Sequence, residues 1–112
     1  FWGYAANEKL SNEEMIAEKY QGIRPAPGYP ACPDHTVKSE MFEQMQATDI
    51  GMQLTDSYAM SPAAAVSGFY FAHPEAKYFS VDKIGEDQLT EMAARRGMKK
   101  EELARWLAPN LG

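Results

Sequence analysis

The sequence predicts an α+β domain, an antiparallel β hairpin or small sheet packed with helices. Three observations carry that expectation. Helix start and stop signals stand near both ends of the chain. Between them an aromatic and β-branched stretch turns back on itself around His73-Pro74. A proline-dense loop, which can be neither helix nor inner strand, separates the first two helical patterns. The chain has 112 residues, 45% of them apolar, which suits one modest core and at most one domain.

Phe1-Trp2-Gly3-Tyr4 opens the chain with three large aromatics and no Met, and the chain reads as a fragment or a processed product. Ser11-Asn12-Glu13-Glu14 is a capping box, in which Ser11 and Glu14 satisfy each other's exposed amides. A helix should follow to about Gln21, with Gly22 as its stop. Pro25, Pro27, Pro30 and Pro33 fall within nine residues. Each fixes its own φ and constrains the residue before it, so segment 23–35 is a stiff, ordered loop. A second helix is expected from about Val37 to Thr48, with Val37, Met41 and Met45 at four-residue steps and Phe42 widening the apolar stripe. Met15, Met41, Met45 and Met92 read as core filling.

From Gly51 the period changes to two: Met52 and Leu54 alternate with Gln53 and Thr55, and the run continues from Tyr58 to Met60 before Pro62 breaks it. Val66 to Ala72 is expected as a strand, with Gly68 a bulge or close-approach point. His73-Pro74-Glu75-Ala76 forms a turn, and Lys77 to Val81 returns antiparallel. A third helix, about Glu86 to Arg96, faces inward with Leu89, Met92 and Ala93 and ends at Gly97. A last short helix, Lys99 to Leu107, turns Leu103, Trp106 and Leu107 inward and ends before Pro109.

The net charge of −5 argues against a nucleic-acid partner, which would want a basic face. No apolar stretch approaches the roughly 20 residues that span a membrane, and the start does not have the form of a signal peptide. Cys32 is the single cysteine, which fits a reducing compartment, so the expected location is cytoplasmic.

The stretch with most chemical content is Arg24-Pro25-Ala26-Pro27-Gly28-Tyr29-Pro30-Ala31-Cys32-Pro33-Asp34-His35. Arg24 offers a planar fork of donors suited to a carboxylate. Ala26, Gly28 and Tyr29 keep their N–H groups between prolines that have none, and Gly28 lets a ligand approach the backbone. A loop ordered before binding loses less entropy on binding. Such a cradle suits a small zwitterion with a carboxylate and a flat heterocycle.

The word order resembles the reactivation (activation) module of cobalamin-dependent methionine synthase. Besides the loop, Phe1-Trp2-Gly3-Tyr4-Ala5, Gln21-Gly22-Ile23-Arg24, Gly68-Phe69-Tyr70-Phe71-Ala72-His73-Pro74, Lys77-Tyr78-Phe79 and Arg105-Trp106-Leu107-Ala108-Pro109-Asn110-Leu111-Gly112 follow the family's order. The resemblance implies the C-terminal portion of an S-adenosylmethionine-binding domain, incomplete on its own, in a 5-methyltetrahydrofolate–homocysteine methyltransferase. Such a domain closes over the cobalamin-binding domain of the same enzyme when the cofactor has oxidised to cob(II)alamin. An electron from flavodoxin or a flavoprotein reductase, with the methyl group of S-adenosylmethionine, then restores methylcobalamin.

By the same resemblance Arg24 holds the methionyl carboxylate, Ala26 and Gly28 contact the ligand through their backbones, Tyr78 and Phe79 line the adenosyl side, and Tyr29 lies toward the corrin. The family often has two tyrosines where this chain has Tyr78-Phe79, so a contact through the second hydroxyl is lost. Cobalamin is bound mainly by another module, and zinc belongs only to another. No catalytic acid–base pair is expected, because the sulfonium already makes the methyl group electrophilic.

Other readings of the same residues are plainer. The proline-rich loop could be a polyproline II ligand, making the chain a non-catalytic interaction domain for a protein partner. Cys32, Asp34 and His35 do not have the spacing of a zinc motif; Asp34 reads as a helix cap and Cys32 as a packing residue. Arg95, Arg96, Lys99 and Lys100 read first as a solvated helix junction, with a docking patch for an acidic electron donor as the sharper alternative.

Overall fold

The Ser11 capping box forms as the sequence predicts. In the computed structural model, which describes residues 8–111, the Glu14 N–H donates to Ser11 Oγ and the Ser11 N–H donates to Glu14 Oε1, each at 3.2 Å. Helix α1 runs only over Asn12–Ile16, however, and does not reach Gln21. None of its residues is buried, and a single capped turn with no packed face has little to prolong it. Met15 and Ile16 lie exposed. Phe1-Trp2-Gly3-Tyr4 falls outside the described residues.

Helix α2, Val37–Met45, passes through a left-handed Gln46 into a 3-10 turn over Ala47–Ile50. Its inner face is not the expected methionine stripe. Phe42 and Lys38 are buried, while Met45 is 76% exposed. The Lys38 ammonium accounts for the difference: Nζ donates to the Tyr58 carbonyl at 2.9 Å and lies 3.1 Å from His35 Nδ1. Those bonds turn the Lys38 face of α2 inward and leave Met45 in solvent.

The β hairpin of the fold forms at the period-two stretch. Strands β1, Gln53–Leu54, and β2, Met60–Ser61, pair antiparallel with Gln53 opposite Ser61 and Leu54 opposite Met60. Its connecting turn packs on the helices, with the Tyr58 ring edge-on to Trp106 at 4.8 Å. The hairpin expected at 66–81 does not form as a ladder. Its turn is present, closed by the Ala76 N–H on the His73 carbonyl at 3.0 Å. Its first arm instead pairs with the proline loop: Ile23 and Phe71 exchange bonds of 3.0 and 2.9 Å, and the Phe69 N–H donates to the Pro25 carbonyl at 2.8 Å. Prolines cannot donate but can accept, so the loop takes amides that the second arm would have taken. Gly22 and Gly68 allow this approach; a Cβ on Gly22 would run into the Phe71 carbonyl, and one on Gly68 would lie 3.0 Å from the Pro25 carbonyl.

Helices α3, Glu86–Arg96, and α4, Lys100–Trp106, form a hairpin whose core is Leu89, Ala93, Leu103 and Leu107, with Met92 packed beside it. Leu103 is fully buried, and truncating such a leucine costs about 2–5 kcal/mol. A 3-10 turn over Ala108–Asn110 follows. It fastens the chain end to the centre: the Ile84 N–H donates to the Asn110 carbonyl at 2.7 Å, and Asn110 Nδ2 to the Val81 carbonyl at 2.8 Å. The Val81 N–H in turn donates to the Pro30 carbonyl at 2.8 Å. The architecture is α+β, and the extended segments brace the proline-rich loop through the Phe69 and Val81 amides. Among the described residues no helix is long and apolar enough to cross a membrane.

Candidate functional site

The proline loop folds back on itself rather than extending. Gly28 N–H donates to the Cys32 carbonyl, Cys32 N–H to the Tyr29 carbonyl, both at 2.8 Å, and Tyr29 N–H to the Ala26 carbonyl at 3.2 Å. Pro25 and Pro27 are buried. A polyproline II ligand must present an open, extended backbone; this loop is closed and built into the domain. Asp34 anchors its far end. The carboxylate accepts from the Thr36 N–H at 2.8 Å and the Thr36 hydroxyl at 2.7 Å, and pairs with Arg96 of α3. Thr36, not Asp34, is the N-cap of α2, so Asp34 serves as a buried tie between loop and helix.

Beside the loop lies a cleft of about 570 Å³, lined by Arg24, Pro25, Ala26, Tyr29, Tyr78 and Phe79 among others. That volume is in the range of small-molecule sites, roughly 300–1,000 Å³. Five of the six residues singled out in the sequence therefore meet at one place. Gly28 does not line the cleft. Its N–H is engaged by Cys32, and its α-carbon faces the His35 ring, so it shapes the turn rather than offering a donor. The Ala26 N–H takes no partner among the described residues. Tyr78 and Phe79 would point to opposite faces of a regular strand, but segment 77–80 forms no ladder, and both reach the cleft. Tyr29 stands at its edge, 66% exposed.

The surroundings of Arg24 were not legible in the sequence. Its guanidinium lies over the Tyr20 ring, 4.0 Å from the centroid, and over the Tyr70 ring at 4.8 Å. One edge pairs with Glu8, Nη2 to Oε1 at 3.3 Å. Glu8 sits well upstream and Tyr70 well downstream, with no spacing to connect them to Arg24. The Arg24 N–H donates to the Tyr78 hydroxyl at 2.9 Å, and that hydroxyl meets the Tyr20 hydroxyl at 2.5 Å. Burial, then the bond to Tyr78, pushes the Tyr20 phenol up to about 12. Tyr78 thus offers its ring to the cleft while its hydroxyl holds the backbone.

Phe79 forms a shared wall: with Pro25 and Ala31 it also lines a second cleft of about 600 Å³, whose other side carries Ile23, Cys32, Phe69 and Phe71. Burial raises the Cys32 thiol and the nearby Asp34 carboxylate raises it further, which keeps it protonated and a poor nucleophile. Among the described residues no group of three or more His, Cys, Asp or Glu side chains is placed to hold a metal. The basic cluster at the α3–α4 junction is largely paired: Arg95 with Glu91 at 3.0 Å, Arg96 with Asp34, and Lys100 with Glu86 at 2.5 Å.

Residues 1–97 match the family described as vitamin B12 dependent methionine synthase, activation domain. A similar solved structure is the MetH reactivation domain bound to AdoHcy, at 58% sequence identity and a TM-score of 0.91. The match covers 100% of this chain and 35% of that one, so the chain spans about a third of the length of the solved protein. A family match over most of the chain and a near-superimposable relative lead to one conclusion: the chain belongs to the activation-domain family of vitamin B12-dependent methionine synthase.

Proposed function

We propose that the Arg24 cleft binds S-adenosylmethionine, and that the chain serves the reductive remethylation of cob(II)alamin that reactivates cobalamin-dependent methionine synthase. The observation that carries the reading is one cation, Arg24, opening onto a small-molecule-sized cleft whose other walls are Tyr29, Tyr78, Phe79 and prolines. A carboxylate at one end of the ligand and a flat purine at the other match that polarity. AdoHcy, bound by the solved relative, is the demethylated form of the same nucleoside.

In this reading the fork of Arg24 not engaged by Glu8 receives the methionyl carboxylate. The Ala26 N–H is a further donor, and the Tyr78 and Phe79 rings contact the adenosyl group. Gly28 acts by shaping the loop. Exposed Tyr29 faces the corrin of the cobalamin-binding domain, which is the proposed partner within the same enzyme, with flavodoxin or a flavoprotein reductase as electron donor. S-adenosylmethionine supplies an electrophilic methyl group and cobalamin the nucleophilic metal. This chain's residues bind and orient the sulfonium and exclude water.

A calorimetric titration with S-adenosylmethionine tests the reading. The chain should bind, and Arg24→Ala should weaken binding by about 1.5–3 kcal/mol, the value of a charge-assisted hydrogen bond. Equal affinity in the two proteins would remove Arg24 from the site.

A further inference from the structure

Arg24 separates two spaces. On one side lies the ligand cleft, lined by Pro25, Ala26, Tyr29 and Tyr78. On the other lies a small cavity walled by Glu8, Gln21, Tyr70 and Ala72. Arg24 is the one residue common to both linings. Glu8 therefore reaches Arg24 from behind the cleft, not through it.

Glu8 is itself held. Its Oε2 accepts the Gln21 N–H at 3.0 Å while Oε1 meets Arg24 Nη2, and its side chain is 17% exposed. Gln21 is fastened in turn by its side-chain amide to the Ala72 carbonyl. The carboxylate thus ties the guanidinium to a braced stretch of backbone. The Tyr20 and Tyr70 rings lie against the same group, with the Arg24 Cζ over each, and restrict its motion. A contact that holds Nη2 opposes exchange of the two Nη groups about the Nε–Cζ bond, which decides which donors point into the cleft.

We propose that Glu8 is a positioning residue for Arg24: it grips one edge of the guanidinium from behind so that the remaining donors face a ligand carboxylate. The inference rests on the function proposed above, and it assigns Glu8 no contact with the ligand. It predicts a penalty confined to ligands that carry the carboxylate, because the nucleoside end of the cleft does not involve Glu8.

The test uses the native protein carrying these residues, titrated with S-adenosylmethionine and with methylthioadenosine, which keeps the adenosyl thioether but has no amino-acid group. Glu8→Ala should weaken S-adenosylmethionine roughly tenfold, as loss of orientation at a charged hydrogen bond does, and leave methylthioadenosine unchanged. Placed on Arg24→Ala it should add no further loss. Glu8→Gln, which keeps the shape, should lie between Glu8→Ala and the parent and serves if the alanine variant does not fold. Equal losses for both ligands would make Glu8 a general structural residue and overturn the proposal. Unchanged or tighter S-adenosylmethionine binding would also overturn it, tighter binding meaning that Glu8 competes with the ligand. If the parent protein binds neither nucleoside, the proposed function fails and the positioning claim is judged by NMR. Rotation about the Arg24 Nε–Cζ bond should then quicken in Glu8→Gln, and an unchanged rate would overturn it.

Discussion

Gly28 and His35 occupy each other's space: a Cβ on Gly28 would overlap the His35 ring at Cε1 and lie 2.5 Å from Nε2. Gly28 also sits at φ +95, outside the range that side chains favour. The tight turn of the proline loop therefore depends on a missing side chain stacked on an imidazole. Because the same turn carries Ala26 and Tyr29 to the cleft, the pair links local backbone chemistry to the site.

Gly28→Ala should destabilise the protein by about 1–3 kcal/mol, from backbone strain and the clash together. The two causes separate in a double-mutant cycle. In a His35→Ala background the clash is gone and only the strain remains, so the cost of Gly28→Ala should be smaller. Denaturant unfolding of the four proteins measures it, and an identical cost in both backgrounds would mean that the ring does not press on the turn.

His35 also predicts a pH dependence. Burial lowers its pKa below the ordinary 6.5, the Lys38 ammonium lowers it further, and Asp34 opposes them. The folded state thus holds the imidazole neutral where the unfolded chain protonates it. Between the lowered folded value and 6.5 the unfolded state binds more protons, so stability falls as pH drops through that window. Above 6.5 the contribution is fully present. His35→Gln should flatten the slope of stability between about pH 7.5 and pH 5.5. Equal slopes in the parent and the variant would assign the acid sensitivity to other groups.

What was legible in the sequence, and what was not, follows from the range of the forces involved. Helix α3 carries its own signals, an acidic first turn, Arg95 and Arg96 in the last, and Gly97 as stop, and it forms where they predict. The cleft was legible for a similar reason. Prolines fix a loop locally, and the loop's words carried a family resemblance to Tyr78 and Phe79. Lys38 defeated the pattern for α2, since its buried ammonium is satisfied by the Tyr58 carbonyl, 20 residues away, together with His35. The hairpin at 66–81 failed because Phe69 and Phe71 found the Pro25 and Ile23 carbonyls instead. Glu8 and the two tyrosines around Arg24 were hidden likewise, being brought together by packing that no local spacing records.

The two adjacent arginines at the end of α3 should behave differently. Arg96 pairs with Asp34, whose side chain is 7% exposed, whereas Arg95 and Glu91 are each 66% exposed. Removing Arg96 strands a buried carboxylate, and Arg96→Ala should cost about 2–4 kcal/mol, toward the lower end because Thr36 still donates to Asp34 and the arginine is partly wet. Arg95→Ala should cost at most about 0.5 kcal/mol, as exposed helix pairs do. Thermal unfolding of the two variants compares them directly, and equal losses would show that the loop does not depend on its tie to α3.

Tyr78 and Phe79, neighbours in sequence, should divide stability from binding. The Tyr78 hydroxyl accepts the Arg24 N–H and meets Tyr20, so Tyr78→Phe removes both bonds and should lower stability by about 1–2 kcal/mol. Its ring remains, and nucleoside binding should change little. Phe79 has no such anchor and is 58% exposed. Phe79→Ala should leave the unfolding midpoint almost unmoved while weakening methylthioadenosine binding by about 0.5–1.5 kcal/mol, the value of an aromatic stacking contact. It also opens the wall between the two clefts, so Phe79→Leu, which restores bulk without a flat ring, distinguishes stacking from simple filling. If leucine restores the affinity in full, the wall needs only volume; if it does not, the ring itself recognises the adenine.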